Sequence, residues 1–213
     1  MPNRFTVPGL EPAKGQATAT LLQERLLALL DLSLVLKHVH WNVVGPTFIG
    51  VHEMLDPQVD AVRVMVDDTA ERIATLGGEP NGLPGNLVAR RAWDDYEVGR
   101  AAVPEHLGAL DLVYNGVISN HRAAIEQLVA LDPVTQDMVI EQTEQLEQFQ
   151  WFVRAHLETG AGELATKGAK TERQAAAKAS RSTTTATSNG SRTTRARSST
   201  TKAAPKRTTT KRS

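Results

Sequence analysis

Residues 51–73 read VHEMLDPQVDAVRVMVDDTAERI, and two stripes run through them at helical spacing. Val51, Met54, Leu55, Val62, Met65, Val66 and Ile73 recur at steps of three and four, the period of an amphipathic helix. His52, Asp56, Asp67 and Glu71 recur at helical steps as well. With His52 at zero and about 100° per residue, Asp56 falls near 40°, Asp67 near 60° and Glu71 near 100°, while the apolar set lies between about 200° and 320°. One helix thus carries a core face and, turned away from it, a face of metal-ligating groups. Two carboxylates at i and i+4 alone read most simply as a solvated surface. Here a His four residues before an Asp is followed by an Asp four before a Glu, which repeats metal-ligand spacing. His40 also stands just before the loop entering this helix.

Outward from this stretch the chain punctuates itself. Residues 18–43 are Leu-rich and periodic, Thr20 with Gln23 offers a capping box, and Gly45-Pro46 ends the segment. The second helix runs from Thr47 to Leu76 and stops at Gly77-Gly78. A polar connection, GGEPNGLPG, precedes a short helix in NLVARRA and the residues Trp93-Asp94-Asp95. A third long helix begins between Asp95 and Pro104 and ends at Leu131. Asp132 caps a fourth, with Pro133 at its first position, that continues to about Glu158 before Gly160. No strand signal competes, so the expected class is all-α. The architecture is an antiparallel four-helix bundle over residues 18–160, with a connection between helices two and three long enough to cross over. Residues 1–17 read as an N-terminal extension.

The formal net charge is zero, but residues 1–164 hold 11 Lys/Arg against 23 Asp/Glu, and residues 165–213 hold 13 against one. From Ala165 onward no aromatic residue, Leu, Ile, Val or Met occurs. Residues 161–213 are therefore expected to be a disordered Ser/Thr/Ala/Lys/Arg tail, too poor in apolar surface to offset chain entropy. One sign of charge on a flexible arm suits a polyanion. The arm reaches roughly 40 Å and has no base-reading element, so its partner is expected to be DNA, bound through phosphates without sequence preference. The contacts would come from Lys178, Arg181, Arg192, Arg195, Arg197, Lys202, Lys206, Arg207, Lys211 and Arg212. The chain has no Cys, which excludes disulfides, zinc-thiolate sites and iron–sulfur clusters. Without an apolar leader or a membrane-length run, a soluble cytoplasmic protein is expected.

Distance then constrains the stripe. Asp56 and Asp67 are separated by about 16 Å along a helix rising 1.5 Å per residue, too far for ligands of one ion. Two copies packed antiparallel about a two-fold axis would bring the His52/Asp56 end of one helix opposite the Asp67/Glu71 end of the other and make two equivalent sites. An intrachain di-iron bundle needs paired Glu-x-x-His motifs, and no Glu-x-x-His occurs in the chain.

HWNVVGPTFIGVHEMLD followed by DDTAERIATLGGEP, with FQWFVRAHLE near the end of the fourth helix, resembles the Dps family, the ferritin-like DNA-protection proteins of starved bacteria. The resemblance covers roughly residues 5–160. It implies a ferroxidase centre between two-fold-related subunits, with two iron ions per centre. Its ligands would be His40, His52 and Asp67 from one subunit and Asp56 and Glu71 from the other, with Trp41 near the iron. It also implies a hollow dodecamer that oxidises Fe²⁺ with hydrogen peroxide in preference to O₂, stores ferric oxide, and lies at the nucleoid. Asp132, Asp137 and Glu141 fall where the family's iron-entry pores are usually lined, although acidic residues in a first helical turn also suit the helix dipole. Two other readings stay open: an architectural nucleoid-compacting protein with little ferroxidase activity, and an iron-storage cage without DNA binding.

Overall fold

The computed structural model describes residues 5–160 and 162–182. Its helices are α1 (Pro12–Asn42), α2 (Phe48–Thr75), α3 (Pro84–Arg90), α4 (Val103–Leu128), α5 (Pro133–Leu157) and α6 (172–182). Helices α1 and α2 form one hairpin and α4 and α5 another. The bundle core joins them through Leu32, Leu36, Leu55, Val62, Leu107, Tyr114, Leu146 and Val153. The expected four long helices and the short helix α3 are all present.

The boundaries show where local chemistry decides. Helix α1 begins six residues earlier than expected, because Pro12 at the first turn starts it. Thr20 is therefore interior, its hydroxyl donating to the Gln16 carbonyl instead of capping, and Gln23 is spent on the backbone of Asn81. Gly45, at φ 108°, makes the turn into α2 in a conformation that other residues rarely adopt. At the far end of α2, Gly77 at φ 83° lets its N–H reach the Ala74 carbonyl and that of Gly78 reach Ile73, a Schellman closure. Helix α4 starts at Val103, with Pro104 in its first turn and the Glu105 carboxylate accepting from Ala102 N–H. Two short parallel strands not expected from the sequence, β1 (Val43–Val44) and β2 (Ala101–Ala102), tie the end of α1 to the start of α4 and close the long crossover.

Asp132 caps α5 by accepting from Val134 N–H, as its position before Pro133 predicts. The same carboxylate receives the Thr135 hydroxyl and the Arg72 guanidinium at 2.6 Å, linking α5 to α2. Burial opposes ionisation at Asp132, but the bonds from Thr135 and Arg72 outweigh it and hold the carboxyl below its ordinary range.

Order extends beyond the expected end of the bundle near residue 160. Asp111, buried on α4, accepts from Gln150 and Arg154 of α5 and from Thr166 of the following segment. Thr171 then caps α6, its hydroxyl accepting from Gln174 N–H. Ala175, Ala176 and Ala179 are buried, and α6 passes so close to Gly108 that a Cβ there would lie 2.8 Å from the Ala175 carbonyl oxygen. The expectation of a disordered tail from residue 161 is thus corrected over 162–182. Alanine has the highest helix propensity and permits close helix approach, so a segment without large apolar residues can still dock. Residues 183–213 lie outside the described residues.

Gly108→Ala is expected to loosen α6 at a local cost of about 1–3 kcal/mol from overpacking. Hydrogen exchange should rise over 172–182 while the bundle's melting temperature holds. Asp132→Ala is expected to cost about 1–2 kcal/mol at neutral pH through the lost cap. Because the folded carboxyl is depressed, its contribution is present above the ordinary Asp value near pH 4 and is lost as pH falls through the folded value. Denaturant midpoints of the two proteins should therefore converge in acid.

Candidate metal centre

Helix α1 ends at Asn42, so the carbonyls of its last turn lack intrahelical partners. Val43 N–H takes that of Val39, and the His40 carbonyl receives Nδ1 of His52 at 2.9 Å. The His52 carbonyl in turn receives Nδ1 of His40 at 2.9 Å. A carbonyl only accepts, so Nδ1 carries the hydrogen in both rings and the ligating lone pair of each neutral imidazole lies on Nε2. The rings stack with centroids 3.6 Å apart at 24°, and Phe48 sets its ring at an angle to His52. His40 is buried and His52 half-buried, so both rings are held in place.

Asp56 follows His52 by one helical turn. Its Oδ1 lies 2.7 Å from Lys37 Nζ and 3.3 Å from His40 Nδ1, and half of the side chain is exposed. The hydrogen bond from Lys37, with the nearby His40, holds this carboxyl below its ordinary range. Pro57, inside α2, has no N–H to give the Glu53 carbonyl, so the backbone ladder is weakened immediately beside the site.

Asp67 and Glu71 are exposed on the same helix. Asp67 lies about 22 Å along the axis from His52, at 1.5 Å per residue. Among the described residues, no three His, Asp or Glu side chains converge on a point that would hold a metal ion. The division that places Asp67 with His40 and His52, and Asp56 with Glu71, is corrected by this geometry. Asp56 stands with the two histidines because one turn separates it from His52, whereas four turns separate Asp67. Trp41, beside His40, is exposed, and His38 is instead packed, its Nε2 2.9 Å from the Val98 carbonyl oxygen.

The remaining expected site residues divide. Asp132 is buried and engaged by its cap and by Arg72, whereas Asp137 and Glu141 are exposed one turn apart on α5. Lys178 and Arg181 belong to α6, and Lys178 Nζ donates to the Lys167 carbonyl at 2.6 Å. Arg192, Arg195, Arg197, Lys202, Lys206, Arg207, Lys211 and Arg212 lie outside the described residues. Sequence reasoning missed Lys37 as the partner of Asp56; the available signal was its position one turn before His40 on the same helix.

Among the described residues no helix is long and apolar enough to cross a membrane. The ferritin-like domain family matches residues 19–162. The DNA protection during starvation protein of Mycolicibacterium smegmatis is 58% identical over 177 residues, 83% of this chain and 97% of that protein. A solved structure of Mycobacterium smegmatis Dps, 58% identical, aligns with a TM-score of 0.77 over 78% of this chain and 95% of its own. DpsA14 from Streptomyces coelicolor, 59% identical, aligns with a TM-score of 0.76 over 77% of this chain and 98% of its own. The fold is ferritin-like, and the chain belongs to the Dps family of DNA-protection-during-starvation proteins.

Proposed function

We propose that this chain is a Dps-type ferroxidase and iron-storage protein that binds DNA through its basic C-terminal tail. The observation that carries the ferroxidase reading is the His40–His52 pair, locked by reciprocal Nδ1 bonds with both Nε2 atoms left for a metal and Asp56 alongside. Two-fold pairing of chains would set Asp67 and Glu71 of one copy against His40, His52 and Asp56 of the other, so each site needs two chains. Twelve chains forming a hollow cage is the assembly that the family resemblance favours.

Iron is the substrate. Nitrogen and carboxylate oxygen ligands suit Fe²⁺, and the carboxylates favour the harder Fe³⁺ product. Binding at Asp56 requires the carboxylate to exchange the Lys37 ammonium for the ion. Two ferrous ions held together each give one electron to hydrogen peroxide. The O–O bond breaks, two protons are taken up, and two waters leave, so no hydroxyl radical is released. Two electrons carry peroxide all the way to water but O₂ only as far as peroxide, which favours peroxide as the oxidant of a two-iron site. Protection of DNA would then combine removal of Fe²⁺ and peroxide with cover of the duplex by a nucleoid-associated cage.

His52→Ala and Asp56→Ala are each expected to slow peroxide-dependent Fe²⁺ oxidation with the fold retained; unchanged kinetics in both would remove the site. Randomly co-assembled His52→Ala and Glu71→Ala chains should recover about a quarter of wild-type activity, since half the dimers are mixed and each mixed dimer has one intact site. Recovery at the background level of the separate variants would place the site within one chain. For the tail, gel shifts at rising salt should show affinity falling steeply, with removal of residues 183–213 abolishing binding. Salt-independent binding, or binding retained without those residues, would favour a cage with a different DNA contact or none.

A further inference from the structure

A cavity of about 350 Å³ lies between α1, α4, the connection before α4 and the start of α6, a size that accepts a small organic ligand. None of the residues lining it is among the proposed iron ligands. Its apolar wall is formed by Val35, Leu112, Val117 and the ring of Trp93. Asp31, Asp94, Asp95, Glu97 and Glu172 also line it, against Lys170 as the one cationic lining residue among the described residues.

The positive charge nearby does not balance these carboxylates. Arg91 is shared between Asp31 at 3.6 Å and Asp95 at 2.5 Å. Glu97 and Glu172 are interlocked through backbone N–H groups, Glu97 N–H donating to Glu172 and Arg173 N–H donating to Glu97. Burial, together with the like charges of Glu97, Asp31 and Asp94, pushes the Glu172 carboxyl up. Among the described residues no three carboxylates converge as a compact divalent ion would require; here they line a cavity that also has an apolar wall. Anionic groups beside a hydrocarbon surface match a ligand that carries cations on a hydrocarbon chain. An anion would be repelled, and a neutral apolar molecule would leave the carboxylates uncompensated.

We propose that this cavity binds a linear aliphatic polyamine, its ammonium groups meeting Asp94, Glu97 and Glu172 and its methylenes lying on Val35, Leu112, Val117 and Trp93. The lysines of residues 183–213 carry the same alkylammonium chemistry, so the test must separate the two sources.

The test is calorimetric titration of spermidine into the DNA-free, full-length protein at about 0.15 M salt, where loose ion-atmosphere binding is screened. Saturable binding of one spermidine per chain is expected. Glu172→Gln combined with Asp94→Asn should weaken it about tenfold or more through loss of charge-assisted contacts. Gly116 lines the cavity, and a Cβ added there meets nothing within 4 Å, so Gly116→Leu occupies space without altering any charge. That variant should lose binding with a melting temperature no lower than the wild type's, since Leu replaces Gly inside a helix. Wild-type affinity in Gly116→Leu would overturn the proposal, because binding would then be to surface charge alone. Replacing Lys202, Lys206 and Lys211 together by Gln should leave the affinity unchanged. Markedly tighter spermidine binding in that variant would assign the cavity to the chain's own tail and overturn the free polyamine as its ligand.

Discussion

The paired bonds between His40 and His52 tie the last turn of α1 to the first turn of α2, and the site depends on that closure. They satisfy a carbonyl that the helix end would leave unpaired, fix which ring nitrogen carries hydrogen, and stack two imidazoles at 3.6 Å. The turn between the two residues contains Gly45 and Pro46, which set the chain reversal that brings α2 back against α1. The local device that ends one helix thereby holds two imidazoles side by side.

A second constraint is the pitch of the helix. His52 and Asp56 occupy one end of α2 and Asp67 and Glu71 the other, and no bending of a packed helix closes a gap of about 16 Å. The candidate ligands therefore stand in two groups that a single chain does not bring together. The chain also segregates its charge, with 11 Lys/Arg against 23 Asp/Glu over residues 1–164 and 13 against one over residues 165–213.

Residues 162–182 connect those two charge regimes. Asp111 gathers α4, α5 and Thr166, Glu97 and Glu172 interlock, and α6 lies on Gly108 with three buried alanines. The root of the basic tail is thus fastened to the bundle. The same docking roofs a cavity whose charge opposes that of the tail.

Much of this was legible in the chain. Periodicity in residues 51–73, Gly77-Gly78 and Asp132-Pro133 determined the long helices, because helix faces and ends are local properties. The same stripe, with the rise per residue, determined that the candidate ligands fall into two separated halves. Tertiary structure alone brought His40 to the His52 and Asp56 end of α2 and gave Asp56 Lys37 as its partner. It also paired Asp132 with Arg72. The helix over 172–182 escaped a criterion based on large apolar residues, since its stability comes from alanine's propensity and from the space that Gly108 leaves. Contacts between residues distant in sequence depend on how helices approach, and that distance is set by side chains on both partners, which no single periodic segment records.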